Sequence, residues 1–120
     1  MAGRPQPKRG EVWWVKPGKT AGAELQKKRP YVVISADAIG NLPVKVAVPL
    51  RSWQDRFKAV VRLVPIAATS ANGLKRDVAA DVLQVKSFDT GKFEKMHGRL
   101  TADELDEITA ALTIVVEHES

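Results

Sequence analysis

Apolar side chains fall at two different periods along this chain, and the change of period divides it. Over residues 44–50, Val44, Val46, Val48 and Leu50 alternate with Lys45 and Ala47, the two-residue repeat of a strand. The run Tyr31-Val32-Val33-Ile34-Ser35 is apolar at every place but the last and rich in β-branched residues. It predicts a short central strand buried on both faces. Pro30 can start it, because the first strand position tolerates a missing N–H. β-Branched and aromatic residues predict an opening strand over 11–15, a further strand over 59–66, and a last long strand over 78–86. Residues 37–42 read as a turn or short helix, and Ala71-Asn72-Gly73 reads as a turn. From Thr101 the repeat becomes helical, with Leu105, Ile108, Leu112 and Val115 on one face. Thr101 and Glu104 match a capping box, and Asp103 complements the dipole of the first turn. These elements add up to a mainly β (α+β) fold: a small, strongly bent antiparallel sheet, partly closed into a barrel, with one terminal helix packed on it.

A length of 120 residues fits one domain. Residues 1–9 are basic and Pro-rich and are predicted to be a disordered arm; residues 10–118 are predicted to form the domain. The chain has no cysteine, which excludes disulfides, thiolate metal sites and a cysteine nucleophile, and fits a reducing cytoplasm. No apolar run approaches the ~20 residues of a membrane helix. The basic N-terminus lacks the apolar stretch of a signal peptide, so a cytoplasmic protein away from membranes is expected. Nineteen Lys and Arg face fourteen Asp and Glu, a formal charge of +5. The excess is concentrated before residue 30, where Arg4, Lys8, Arg9, Lys16, Lys19, Lys27, Lys28 and Arg29 meet only Glu11 and Glu24. A polyanion partner, most simply nucleic acid, accounts for that asymmetry; the plainer alternative is a solvated basic surface. Residues 16–29 hold two glycines and four lysines and read as a long mobile loop, a kind of segment that usually carries function. His97 and His118 do not form a catalytic pair by spacing. No His, Asp and Glu cluster has metal-ligand spacing, so neither metal nor cofactor is expected.

Five ordered blocks carry a resemblance. Arg9-Gly10-Glu11-Val12-Trp13-Trp14-Val15 is followed by a second block made of Gly22-Ala23-Glu24 with Arg29-Pro30-Tyr31-Val32-Val33-Ile34-Ser35. Val48-Pro49-Leu50-Arg51-Ser52, then Gln84-Val85-Lys86-Ser87 with Asp89, and then Gly98-Arg99-Leu100-Thr101 complete the series. Together they resemble the MazF/PemK toxins of type II toxin–antitoxin systems, from about residue 9 to 116. The resemblance implies an SH3-like, CcdB-like antiparallel β-barrel with a C-terminal helix, usually a homodimer. It implies sequence-specific, metal-independent cleavage of single-stranded RNA, the activity of an mRNA interferase. It also implies a cognate antitoxin of the MazE/PemI kind that inserts along the RNA groove.

RNA can be cut without a metal because it carries its own nucleophile. A base removes the ribose 2′-OH proton, the oxygen attacks phosphorus, and a cation holds the phosphorane charge. Arg29 matches the family's essential arginine, and its fixed fork of donors suits phosphate stabilisation better than proton abstraction. Glu24 matches the family carboxylate and is a candidate base or a partner that orients Arg29. Ser52 matches the serine of the family's Pro-Leu-Thr-Ser turn and is a candidate phosphate ligand. Arg51 stands where that turn has threonine, either as a second phosphate clamp or as a mark of altered chemistry. Leu83 stands where many relatives have aspartate; Asp81 shares its strand face and is a loose replacement. Gln84 and Lys86 are candidate RNA contacts. Lys16, Lys19, Lys27 and Lys28 are candidate backbone contacts, and Trp14 a platform for an unstacked base. Trp13 is assigned to the core, and Trp53 to stacking or to a dimer contact. Two alternatives of other classes stand beside this reading. One is a CcdB-like gyrase poison, whose contacts lie at the end of the last helix. The other is an RNA-binding module that does not cleave, suggested by Arg51 and Leu83.

Overall fold

The computed structural model describes residues 5–18, 21–25 and 27–117; Lys19 and His118 lie outside the described residues. Seven strands and one α-helix follow in order: β1 (Glu11–Val15), β2 (Arg29–Val33), β3 (Val44–Ser52), β4 (Leu63–Ile66), β5 (Val78–Asp81), β6 (Lys86–Asp89), β7 (Phe93–Arg99) and α1 (Ala102–Val115). All pairings are antiparallel, in the order β4-β5-β3-β2-β1-β7, with β6 also paired to β3. β3 is the hub. Its first half pairs with β6 from Val44 to Ala47, and its last three residues pair with β5 from Leu50 to Ser52. The expected mainly β fold with a terminal helix is the observed one.

Two predicted strands end differently. The strand expected over 59–66 starts only at Leu63, because Ala59 takes a left-handed φ of 64° after the 3₁₀ turn Asp55–Phe57. The strand expected over 78–86 breaks at Asp81 into a 3₁₀ turn, Val82–Gln84, and resumes as β6 along the other half of β3. That break leaves Asp81 fully buried and Leu83 exposed, so the two do not share a strand face. β7 was not predicted at all.

The main core lies inside the bent sheet. Val12, Val32, Val48, Leu50, Val64, Ile66, Val78 and Ala80 meet Ile108 and Ala111 of α1, with Leu105 and Leu112 packed alongside. Ile108 has no exposed surface, a burial that stabilises by roughly 1.5–3 kcal/mol. The helix start is fixed as expected: Glu104 N–H donates to Thr101 Oγ1 at 3.1 Å, and Thr101 N–H donates to Glu104 Oε1 at 2.8 Å. A second cluster covers the opposite face of β1–β3. Tyr31 meets Phe88 edge-on at 4.9 Å, Phe88 meets Phe93 at 6.3 Å, and Trp13 meets Phe93 at 6.1 Å. β2 is therefore buried on both faces, as its continuous apolar run predicts.

The barrel closes through a turn instead of a ladder. Arg99 N–H donates to Ala71 O at 2.9 Å, which presses the turn at 71–73 onto β7. A Cβ on Gly98 would lie 2.2 Å from Ala71 O, and one on Gly73 (φ +68°) would lie 2.1 Å from His97 O. Only glycine permits this approach from both sides. Residues before Gly10 are docked as far back as Pro7, which is buried. Lys8 N–H donates to Glu11 Oε1 at 2.7 Å, Arg9 N–H donates to Asp37 Oδ1 at 2.9 Å, and the Arg9 guanidinium donates to Ile34 O. Among the described residues no helix is long and apolar enough to cross a membrane.

Candidate nucleic-acid interface

Two irregularities in the β1–β7 pairing shape the main cleft. Val12 faces Gly98 and Trp13 faces Met96, so His97 is an extra residue; Trp14 faces Lys95 and Val15 faces Phe93, so Glu94 is another. Trp14, Lys95 and His97 line one space, while Phe93 joins the aromatic cluster. The closing turn carries Lys75 and Arg76 to the facing wall, and the start of β2 brings Lys27, Lys28, Arg29 and Pro30. Leu50, Ser52, Leu74 and Val78 complete a cleft of about 590 Å³. Among the described residues six Lys and Arg side chains line it, and no carboxylate does. Lys28 reaches out of it to Glu94, 3.3 Å away on the exposed surface.

Arg29 is partly buried, and its Nε is shielded without a hydrogen-bond partner. Burial lowers its pKa most; the nearby Tyr31 and Asp81 raise it, and Arg51 lowers it. An arginine so placed remains charged at neutral pH and is short of an anion. His97 lies 6.0 Å from Trp14, the rings tilted by 58°, and its Nε2 is also shielded without a partner. Burial, then Lys95, then Lys75 hold its pKa below 6.5, so at neutral pH it is uncharged. The cleft thus presents a wall of cations, an aromatic face and a neutral imidazole, which is the equipment for a phosphate chain carrying bases.

The sequence-predicted residues divide into two places. Arg29, Ser52, Trp14, Lys27 and Lys28 line the cleft together. Arg51 does not line it; its Nη1 donates to Asp81 Oδ2 at 3.0 Å, and its guanidinium lies over the Phe57 ring at 5.4 Å. Glu24, Gln84 and Lys86 meet elsewhere. Glu24 Oε2 accepts from Ala21 N–H at 3.0 Å, Lys86 Nζ stands 3.5 Å from Glu24 Oε1, and Gln84 Nε2 donates to Ala23 O at 3.3 Å. The Ala21 hydrogen bond, then Lys86, lower the Glu24 pKa, so this exposed side chain is ionised at neutral pH. Lys16 is exposed beside the loop's start, where its N–H donates to Lys92 O at 3.2 Å. Trp13 packs in the aromatic cluster and donates from Nε1 to Glu11 Oε1 at 3.1 Å. Trp53 packs edge-on against Phe57 at 6.0 Å. Sequence reasoning missed Lys75, Arg76, Lys95 and His97. The Lys75-Arg76 doublet just after the turn was the available signal. Among the described residues no three His, Asp or Glu side chains are placed to hold a metal ion.

Residues 8–116 match the family described as PemK-like, MazF-like toxin of type II toxin–antitoxin system. Endoribonuclease MazF9 of Mycobacterium tuberculosis is 26% identical over 110 residues, covering 89% of this chain and 93% of that protein. The crystal structure of MazF from Deinococcus radiodurans superposes with a TM-score of 0.78 at 23% identity, covering 95% of this chain and 99% of that one. An endoribonuclease from a mycobacterial species, solved in complex with its cognate antitoxin, gives 0.73 at 17% identity and covers 95% and 98%. At these identities the two structures establish a shared fold.

Proposed function

The chain belongs to the PemK-like, MazF-like toxins of type II toxin–antitoxin systems, and we propose from this membership that it is a sequence-specific endoribonuclease that cuts single-stranded RNA without a metal. The observation that carries the reading is the cleft, where Arg29 is one of six cations and, among the described residues, no carboxylate joins the lining. A phosphodiester seated there meets the Arg29 guanidinium, which is short of an anion and opens β2, a strand inside the sheet. As the ribose 2′-OH loses its proton and attacks, charge grows on the non-bridging oxygens, and Arg29 holds it. Ser52, exposed at the end of β3, adds a hydroxyl donor to the same oxygens. The P–O5′ bond breaks, and the departing O5′ takes from solvent a proton that replaces the one the 2′-OH gave up to solvent, leaving a 2′,3′-cyclic phosphate and a 5′-hydroxyl. Trp14 takes an unstacked base, and Lys27, Lys75, Arg76 and Lys95 bind the flanking phosphates.

Regulation follows from the same charge. A cognate antitoxin of the MazE/PemI kind, with an acidic segment laid along the cleft, excludes RNA by occupying its cations; a similar fold has been solved with its antitoxin bound. The reading has the toxin as a cytoplasmic homodimer acting on single-stranded RNA. The test is cleavage of a long single-stranded RNA by wild type and Arg29→Ala, with EDTA present and the cut ends mapped. Wild type yields discrete fragments with 5′-hydroxyl ends, and Arg29→Ala is slower by roughly 10²–10³-fold with an unchanged melting curve. If wild type leaves RNAs of varied sequence intact, the reading fails, and gyrase-dependent DNA cleavage is the next assay.

A further inference from the structure

Arg51 replaces the threonine of the family's turn, and the chain has built a support around the replacement. Asp81 ends β5 with its side chain 1% exposed, and both carboxylate oxygens are used. Oδ2 accepts from Arg51 Nη1 at 3.0 Å, and Oδ1 accepts from Arg62 Nη1 at 3.1 Å. One buried carboxylate therefore holds two guanidiniums, and one positive charge is left over. Arg51 is gripped from a second side by the Phe57 ring, 5.4 Å away. Its own side chain remains 28% exposed, so it is held without being sealed off.

The register of the sheet says what Arg51 is held beside. β2 and β3 pair with Tyr31 opposite Pro49, and continuing that register by two residues sets Arg29 opposite Arg51. Cross-strand partners in an antiparallel pair project to the same face. The electrostatics agree, since Arg51 opposes the charge of Arg29 while Asp81 favours it. Two cations side by side without Asp81 repel; with Asp81 holding Arg51 from the β5 side of β3 they can converge on one anion.

We propose that Asp81 is a positioning residue for RNA cleavage, which through its hydrogen bond to Arg51 fixes a second guanidinium next to Arg29 on the scissile phosphate. This rests on the ribonuclease reading above. Asp81 does not itself touch RNA, because its side chain is buried and both of its oxygens are occupied by Arg51 and Arg62. Arg62 braces the carboxylate from behind. The Thr-to-Arg departure in the turn is thereby a change of phosphate ligand, and Asp81 is its necessary companion.

The test is a double-mutant cycle on RNA cleavage with wild type, Arg51→Ala, Asp81→Asn and the double variant, each checked for folding by thermal melting. Asp81→Asn alone is expected to lower kcat by roughly ten- to a hundredfold with KM little changed, because it misplaces a group without removing it. In the Arg51→Ala background the same substitution is expected to have no further effect on kcat. If Asp81→Asn lowers kcat by the same factor in both backgrounds, or leaves kcat at the wild-type value, the positioning role is overturned. If Asp81→Asn does not fold, Arg62→Ala takes its place in the cycle, with the same expectation and the same overturning result. Wild type that cuts no RNA overturns the ribonuclease reading itself, an outcome distinct from an additive cycle.

Discussion

Around the cleft, Lys27, Arg29, Lys75, Arg76 and Lys95 line one space in which, among the described residues, no carboxylate takes part, whereas at the end of β5 Arg51 and Arg62 share the buried Asp81. Both groups of cations stand on the same bent sheet, and their charge is handled in opposite ways. Like charges gathered around one concave space repel each other, and the repulsion weakens the fold slightly. A protein keeps such a group where an anion arrives from outside. Where the anion is supplied from within, the cations become part of the framework, and their geometry is fixed with the fold. The difference separates a surface that binds from a support that aims, and the variants below at Gly98, Lys75, Arg76, Arg62 and His97 each act on one without the other.

The largest structural effect is expected from Gly98→Ala. Its new Cβ would lie 2.2 Å from Ala71 O and 2.6 Å from the carbonyl carbon of Asn72, all backbone, so the closing turn must move away from β7. Overpacking of this kind lowers stability by roughly 1–3 kcal/mol, readable by chemical denaturation. Because Lys75 and Arg76 ride on that turn, RNA affinity falls as well, while the Arg51–Asp81 pair, built on β3 and β5, is untouched. An intact affinity would show that the turn does not form the far wall of the binding site. Next in size is the double substitution Lys75→Ala with Arg76→Ala. Removing two phosphate contacts lowers RNA affinity by roughly tenfold at moderate salt and flattens the salt dependence by about 1.4 in slope, about 0.7 per contact on a single strand. Arg62→Ala, on the compensated side, leaves that slope where it was.

The helix and the two inner strands were legible in the sequence because each rests on one local rule. The Thr101–Glu104 box and the Leu105–Ile108–Leu112 stripe fix α1, and unbroken apolar residues fix β2. β7 was not legible, since its extra residues at Glu94 and His97 break the alternation and only Phe93 is fully buried along it. The strand read over 78–86 failed at Asp81, where a carboxylate points into the protein because Arg51 and Arg62, distant in sequence, meet it there. The same physics limited the site. Arg29, Ser52, Trp14 and the Lys27–Lys28 pair were named from the resemblance and the charge of the loop. The facing wall of Lys75, Arg76, Lys95 and His97 exists only because Gly73 and Gly98 let a distant turn dock on β7, a contact that no local pattern encodes.

His97 offers a smaller effect with a definite sign. Burial, Lys95 and Lys75 keep it uncharged at neutral pH. As pH falls below 6.5 it gains a proton and adds one charge to the cleft, and a bound phosphate favours that protonated form. RNA affinity is therefore expected to rise only as pH falls below 6.5, the ordinary imidazole value, and His97→Gln is expected to remove the rise. Titration by fluorescence anisotropy in matched ionic strength reads both. A rise that persists in His97→Gln would assign the proton to another group.

The smallest effect is expected at Glu24, and its size decides between two roles for that carboxylate. As a general base it would contribute roughly 10²–10⁴-fold to cleavage. The structure ties it elsewhere: one oxygen accepts from Ala21 N–H, the other faces Lys86, and neither lines the cleft. In that arrangement Glu24 holds the described part of the loop at 21–25 against Lys86, with Gln84 adding its bond to Ala23 O. An exposed pair of this kind contributes little, so Glu24→Gln is expected to change kcat by no more than about threefold. Lys86→Ala should match it, since both substitutions release the same contact. The lowered pKa of Glu24 means that the tie persists above about pH 4.5 and weakens only in more acid solution, leaving the neutral-pH rate profile of Glu24→Gln parallel to wild type. A loss of a hundredfold or more in Glu24→Gln, with Lys86→Ala near wild type, would restore the carboxylate to the chemistry and require the loop to carry it to Arg29.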